Sequence, residues 1–364
     1  MPGMGINFRI AKKLSDPAIN EFYNNFHKAG RTEEEFNWEF STTPAGKAIY
    51  VQAVEEDGKI AGSIAAIPLV MIGPGGEKFL TGKPEDTMVE IFASLRYRKT
   101  DILTEMYTRL EDACKSAGME IFWGFTYETK PFERLGFETG FHALQGLSVI
   151  SPFPTYRNIS GLNSHNRAKD KFMIALLVAG SYILGIRRSL RGSKLPGRVV
   201  YDDLSGHEEL LKSHLEAGDK MYCLVQDAEY LEWRIKNNPN KISYKTVSLV
   251  NSENRKEIEI IVSINRDSAF IEQMIFRKNV KKAVVLRMIK QVVSMLKKEQ
   301  VSVVRFMGFN TNPINRRELA LLKSSGFVIS DRGIPFVFKK IGTRKLDIRP
   351  ENIFLSRLFT QGNT

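Results

Sequence analysis

Residues 100–137 read TDILTEMYTRLEDACKSAGMEIFWGFTYETKPFERLGF, and three changes of rhythm within them decide the fold class. From Thr100 to Ala117, the residues Ile102, Leu103, Met106, Leu110 and Ala113 recur at the spacing of one helix face. Gly118 stands where a helix C-cap glycine belongs. Ile121 to Phe125 is then a short apolar run, suited to a strand covered on both faces. A short helix follows, ending in Leu135-Gly136-Phe137. Long helix, buried strand and short helix in this order mark a mixed α/β sheet architecture.

The order recurs later in the chain. Lys281–Lys298 predicts a long helix, Val301–Met307 a buried strand and Asn315–Ser325 a short helix before Gly326-Phe327. The regions upstream also correspond. In the first half, helices are expected over Asp16–Lys28 and Glu33–Phe40. Strands follow over Ala48–Val54, Ile60–Ile72, Phe79–Gly82 and Thr87–Ala93, with a hairpin turn at Glu56-Asp57-Gly58-Lys59. In the second half, helices at His207–Ala217 and Asp227–Asn237 precede strands at Ser243–Val250, Glu257–Ile264 and Ala269–Ile275. A further strand pair is expected between Glu138 and Ile150. Such self-similarity reads as a duplicated unit. The expected organisation is two lobes, residues 1–155 and 201–364, joined by a linker with an apolar helix, residues 156–200.

A chain of 364 residues is long enough for two cores, and 43% apolar with 26% charged residues is an ordinary globular balance. Cys114 and Cys223 cannot build a disulfide framework, and no Cys/His spacing resembles a metal site. The start lacks the pattern of a signal peptide, so a cytoplasmic, metal-free protein is expected. The five histidines, at 27, 142, 165, 207 and 214, pair with no nucleophile motif.

Phe172 to Ile186 reads FMIALLVAGSYILGI, too short to cross a bilayer of roughly 20 helical residues. Arg167, Lys169 and Lys171 precede it, and Arg187, Arg188, Arg191, Lys194 and Arg198 follow. Two readings stay open: a buried helix joining the lobes, or a helix on an anionic membrane surface through residues 172–198. The net charge of +12 calls for acidic partners, yet no nucleic-acid-binding motif accompanies it, and nucleic acid is not expected.

Several phrases sharpen the picture. Phe36-Asn37-Trp38 is followed by Thr43-Pro44-Ala45-Gly46 and by Glu56-Asp57-Gly58-Lys59-Ile60-Ala61-Gly62. Trp123-Gly124-Phe125-Thr126 is followed by Lys130-Pro131-Phe132-Glu133-Arg134-Leu135-Gly136-Phe137. Tyr230-Leu231-Glu232-Trp233-Arg234, with Asn238-Pro239, repeats the opening phrase. In this order, over nearly the whole chain, they resemble tandem GNAT (Gcn5-related) acyl-CoA N-acyltransferases of a bacterial subgroup.

The resemblance implies acetyl-CoA or another acyl-CoA as co-substrate. It places the acyl-pantetheine arm against a splayed strand ending at Phe92 and Ala93, and the pyrophosphate on the loop before the long helix. A helix N-terminus suits anions because its free N–H groups and dipole both favour negative charge. The equivalent residues are Arg98, Lys99, Thr100, Asp101, Ile102 and Leu103. Asp101 and Leu103 replace the small residues of the family loop; Thr100 is an expected N-cap. The loop therefore reads either as an acyl-CoA site or as a plain helix start. Its counterpart at 276–282 contains no glycine.

The tyrosine that the family uses as acid is replaced by Phe132 in one half and Leu322 in the other. The resemblance leaves Glu90 as the leading base and Tyr127 as a substitute acid, with Glu85 and Asp86 as weaker bases. The expected function is transfer of an acetyl or other acyl group to a small amine, such as an amino sugar or envelope precursor. The alternative is a catalytically degenerate GNAT-like binding or regulatory protein, and a third reading keeps the fold but recruits it to a membrane surface through 172–198.

Overall fold

The computed structural model describes residues 5–162, 168–189, 195–218, 221–331 and 333–359. His165, Arg167, Arg191 and Lys194, singled out above, lie outside the described residues. Strand β1 (Ile6–Ile10) precedes helices α1 (Pro17–His27) and α2 (Glu33–Phe40). A meander of β2 (Ile49–Glu55), β3 (Ile60–Ile72) and β4 (Lys78–Val89) runs into α3 (Ile91–Arg96) and the long α4 (Ile102–Ser116). Next come β5 (Met119–Phe125), α5 (Thr129–Arg134), β6 (Glu138–His142) and β7 (Leu144–Val149). Helices α6 (Pro152–Leu162) and α7 (Ala168–Ser189) lead to β8 (Arg198–Tyr201), α8 (His207–Leu215) and β9 (Cys223–Leu224). Helix α9 (Ala228–Leu231) continues as a π-helical turn, Glu232–Lys236.

The meander then repeats as β10 (Ser243–Val250), β11 (Lys256–Asn265) and β12 (Ser268–Phe276). It is followed by α10 (Lys282–Lys298), β13 (Val303–Gly308), α11 (Pro313–Ser324), β14 (Val328–Ser330) and β15 (Pro335–Lys340). Two 3-10 turns, Pro350–Asn352 and Arg357–Phe359, come last among the described residues.

The chain divides into two compact units, and their segments interleave. Unit 1 holds Met1–Phe141, Tyr222–Asn240 and Pro335–Asp347; unit 2 holds His142–Met221, Lys241–Ile334 and Ile348–Thr364. Unit 1 has a mixed sheet in the order β1-β2-β3-β4-β5-β15-β6, with β9 paired to β3. Unit 2 has the order β8-β10-β11-β12-β13-β7-β14. The two orders correspond strand for strand. Each sheet contains a parallel pair, β4 with β5 or β12 with β13, flanked by antiparallel pairs.

Local chemistry explains the helices. Asp16 caps α1 by accepting from the Ala18 N–H at 3.1 Å, with Pro17 in the first turn where a missing N–H costs nothing. Thr32 and Glu35 form a capping box at α2. In α4, Ile102, Met106, Tyr107, Leu110 and Cys114 are buried against the sheet; the expected Leu103 and Ala113 lie at its margin. Replacing fully buried Leu110 by alanine would cost about 2–5 kcal/mol. Burial pushes the Cys114 thiol up to about 12, which suits a packing role.

Three expectations are corrected. The segments 79–82 and 87–93 are not two strands: β4 is continuous to Val89, and 91–96 is helical. The polar residues between, which read as a break, contain a bulge with Asp86 at φ +50° inside one strand. The strands of 138–150 do not pair with each other; β6 joins the sheet of unit 1 and β7 that of unit 2. Alternation of apolar residues announces a strand but not its partner. Finally, among its described side chains α7 is covered on one face and open on the other. Val178 and Ser181 are covered, whereas Phe172, Leu176 and Ile183 are exposed.

Candidate functional site

In unit 1, β4 and β5 run parallel but pair only from Leu80↔Met119 to Gly82↔Phe122. Beyond that point Lys83–Val89 continues along β3 without β5 beside it. Residue choice builds the fork. A Cβ on Gly82 would lie 2.7 Å from the Phe122 ring, so only glycine lets that ring close the crotch. The buried Trp123 Nε1 donates to Thr81 Oγ1 at 3.0 Å and pins the last paired turn. Further along, the bulge at Asp86 bends β4, as an extra residue in one strand does.

A buried ionic cluster sits on the diverging half of β4. The Asp86 carboxylate accepts from Arg31 Nη1 at 3.1 Å and Nη2 at 2.8 Å, and from the Tyr50 hydroxyl at 2.8 Å. Both side chains of the ion pair are nearly buried, at 7% and 5% exposed. Arg31 also stacks over the Tyr23 ring at 3.6 Å and approaches Glu39 Oε2 at 3.5 Å. On the neighbouring position of β4, buried Lys83 pairs with Glu85. Burial, reinforced by the Asp86 charge, raises Glu39 from its ordinary 4.5 to about 7, although Arg31, Lys83 and Arg234 pull it down. Burial lowers Lys83 from 10.5 to about 8, aided by Arg234 and opposed by Glu39. Burial thus pushes a carboxyl up and an ammonium down, the carboxyl reaching Asp86 of the open strand through Arg31 and the ammonium standing on the strand itself.

The 222–240 segment, whose tryptophan motif repeats the opening phrase, packs within unit 1. Trp233 stacks on Trp38 with ring centroids 5.1 Å apart. Each indole N–H donates to the other residue's carbonyl, at 2.8 and 3.0 Å. This segment brings Arg234, 1% exposed, into the field of Glu39 and Lys83.

The residues expected from sequence fall into three places. Arg98, Lys99, Thr100 and Asp101 form one turn before α4, with Arg98 and Lys99 exposed and Ile102 buried in the core. Thr100 is not the helix cap. Asp101 is, accepting the Thr104 N–H at 3.2 Å and pairing with Arg134 at 2.6 Å. Burial alone would raise the Asp101 carboxyl, but these two donors hold it below the ordinary carboxylate range. Its charge already occupies the anion-attracting end of the helix. Leu103 is half-buried beside it.

Glu90 stands at the N-cap position of α3 without a capping side-chain hydrogen bond, and its carboxylate pairs with Lys59 at 3.2 Å and Arg96 at 3.5 Å. Phe92 is 69% exposed on α3, beside Ile91 and Leu95, and Ala93 is buried. Tyr127 is 67% exposed after β5, and no hydrogen bond among the described residues joins it to Glu90 or to the 98–103 turn. Asp86 and Glu85 belong to the buried cluster. Arg31, Glu39, Tyr50 and Lys83 were not legible beforehand, because Lys83 lies in a polar stretch that reads as a break and the others are far from it in sequence.

Unit 2 has the same fork with a different content. The β12–β13 ladder ends at Ile271↔Phe306. On the next residues of β12, Glu272 pairs with Arg357 and Gln273 accepts from Ser356 Oγ at 2.7 Å. The Arg357–Phe359 turn packs on both strands, and residues 353–359 are all buried. Asn312, which caps α11, also donates to the Ile353 carbonyl at 2.9 Å. The chain's own late segment fills this fork.

Comparison with known proteins agrees with the geometry. Residues 11–140 match the Acetyltransferase (GNAT) domain. A conserved protein of Enterococcus faecalis V583, described as a probable N-acyltransferase, is similar in structure with a TM-score of 0.62. The identity is 10%, over 93% of this chain and 73% of that one. N-myristoyltransferase from Saccharomyces cerevisiae, solved with myristoyl-CoA, gives 0.57 at 12% identity, over 93% of this chain and 78% of that one. A tandem GNAT protein from the clavulanic acid biosynthesis pathway gives 0.56 at 9% identity, over 94% of this chain and 100% of that one. None of the curated proteins matches the sequence. Residues 11–140 are therefore similar to a GNAT acetyltransferase domain. As a whole, the protein has the mixed α/β fold of a tandem GNAT acyltransferase, with two lobes.

Proposed function

We propose that unit 1 transfers an acyl group from acyl-CoA to a small amine. The observation that supports this most is the β4–β5 fork, which leaves backbone groups of 83–89 without a β5 partner beside an ionic cluster. An extended pantetheine arm can hydrogen-bond to such a strand as an added strand would. The start of α4 fits a pyrophosphate poorly, because the Asp101 carboxylate is already there. The phosphates are therefore assigned to the exposed Arg98 and Lys99 one turn earlier, with Thr100 as a hydroxyl donor.

Glu39 is the proposed base, since a carboxylate near 7 accepts a proton readily at neutral pH. The amine nitrogen bonds to the acyl carbon, the carbon–sulfur bond breaks, and the amine proton passes to Glu39. Lys83 is the proposed donor to the departing thiolate. Glu90 and Tyr127 remain candidates from the family resemblance, an amino sugar remains the candidate acceptor, and the cytoplasm remains the expected location.

The test is a melting experiment with acetyl-CoA and a long-chain acyl-CoA, followed by thiol-release assays with amines. A ligand at about 100 times its Kd stabilises by about 2.7 kcal/mol, which a melting curve resolves. No shift with any acyl-CoA at roughly millimolar concentration, well above common affinities, would sink the proposal. The second reading, a binding protein without turnover, is favoured by the position of Asp101. It predicts a melting shift with no thiol release from any amine tested.

A further inference from the structure

We propose that the α6–α7 pair of unit 2 docks on an anionic lipid surface through the exposed face of α7. Residues 172–186 contain no charged side chain. Among the described residues no helix is long and apolar enough to cross a membrane, so this stretch is not a span. Its two faces differ. Val178 and Ser181 are buried, and the Val149 N–H of β7 donates to Ser181 Oγ at 3.2 Å.

On the other side Phe172 is 64% exposed, Leu176 52% and Ile183 51%. At about 100° per residue these three fall within roughly 40° of arc, and Leu177 and Leu184 widen it. Phe153, on the adjoining α6, is 76% exposed. So many large apolar groups on one helix face exceed the scatter of single exposed residues on an ordinary surface.

Charge selects the occupant. Within 167–198 the sequence places Arg167, Lys169 and Lys171 before the uncharged stretch and Arg187, Arg188, Arg191, Lys194 and Arg198 after it. Asp170 is the sole acid in that interval. Two copies of this chain meeting face to face would bring these like charges together. A bilayer with anionic headgroups would neutralise them while its acyl region takes up the apolar arc, the geometry of an interfacial helix. The face is on a different unit from the proposed acyl-transfer site, so each can fail without the other.

The test uses the full chain with phosphatidylcholine vesicles, with and without about 30% phosphatidylglycerol, at low and high salt. Flotation is expected with the anionic vesicles at low salt, with loss at high salt and on pure phosphatidylcholine. Leu176→Glu with Ile183→Glu should weaken binding at least about tenfold at an unchanged melting temperature, because both side chains are exposed. Phe172→Ser, which alters no charge, should weaken it several-fold and serves if the double variant misfolds. No flotation on anionic vesicles overturns the proposal, as does binding indifferent to these substitutions. A stable dimer that Leu176→Glu dissolves would also overturn it, by giving the face to a second copy.

Discussion

The two units share a sheet order and a fork between parallel strands, yet treat the fork in opposite ways. In unit 1 the residues past the last β4–β5 pair include Asp86, bonded to Arg31 and Tyr50 with Glu39 beside Arg31, and the Lys83–Glu85 pair. In unit 2 the corresponding positions, Glu272 and Gln273, hold Arg357 and Ser356 of the chain's own late segment. Diverging strands expose polar backbone, which must find partners. In unit 2 the late segment packs over this stretch and pairs with its side chains. Unit 1 meets the demand in part with side chains, and the remainder is where a substrate is proposed to lie. A duplicated fold can thus keep its architecture in both copies while one copy gives up its slot.

The largest expected effect tests the filled fork. Arg357→Ala would strand Glu272, whose side chain is 0% exposed, and a buried ion pair missing one partner costs about 3–5 kcal/mol. Urea unfolding would measure this. If the loss stays under about 1 kcal/mol, the late segment is not what closes unit 2. Any acyl-CoA melting shift should persist in this variant, since its proposed site is in unit 1.

The open fork is tested by Glu39→Gln. The proposed base would be lost, so kcat should fall about a hundredfold or more with KM for acyl-CoA nearly unchanged. A drop in KM affinity with kcat preserved would instead make Glu39 a binding group. The same variant tests the electrostatics. Glu39 has a folded pKa of about 7, above its ordinary 4.5. Its contribution to stability is therefore fully present below about pH 4.5 and is lost as pH rises towards 7. Relative to Glu39→Gln, the wild type should lose about 2–3 kcal/mol over that window, read from urea midpoints at several pH values. A pH-independent difference would rule out the raised carboxyl.

Smaller effects concern the turn before α4. Arg98→Glu with Lys99→Glu should weaken acyl-CoA binding about tenfold, more at low salt than at high. Equal affinity would move the phosphates elsewhere. Asp101→Asn keeps a capping side chain and removes the charge, so acyl-CoA should bind a few-fold tighter. Stability should change by about 1 kcal/mol or less, because the Asp101–Arg134 pair is exposed. Weaker binding would show that Asp101 helps the site.

Much of the fold was legible because its signals are local. The α4 stripe of Ile102, Met106 and Leu110, the turn at Gly58 and the run Ile60–Ile72 each depend on neighbours a few residues away. The partnership of strands was not legible. Glu138–Ile150 reads as a strand pair, and nothing in it says that its two strands enter different sheets, while Pro335–Lys340 was not read as a strand at all. The site was half legible. Arg98, Lys99 and Asp101 lie together because they are adjacent in sequence. Arg31, Glu39, Tyr50 and Asp86 meet only because α2, β2 and the bulged β4 converge.

Residue order was enough to establish a duplicated mixed α/β chain, since periodicity and turn chemistry act over short distances. Tertiary structure decided that Asp101 turns its carboxylate into the helix end and that Trp233 returns to stack on Trp38. It also decided that one fork is filled and that its counterpart carries an ionic cluster. Each of these depends on the desolvation and pairing of groups far apart in the chain, and burial of a charge has no local signature.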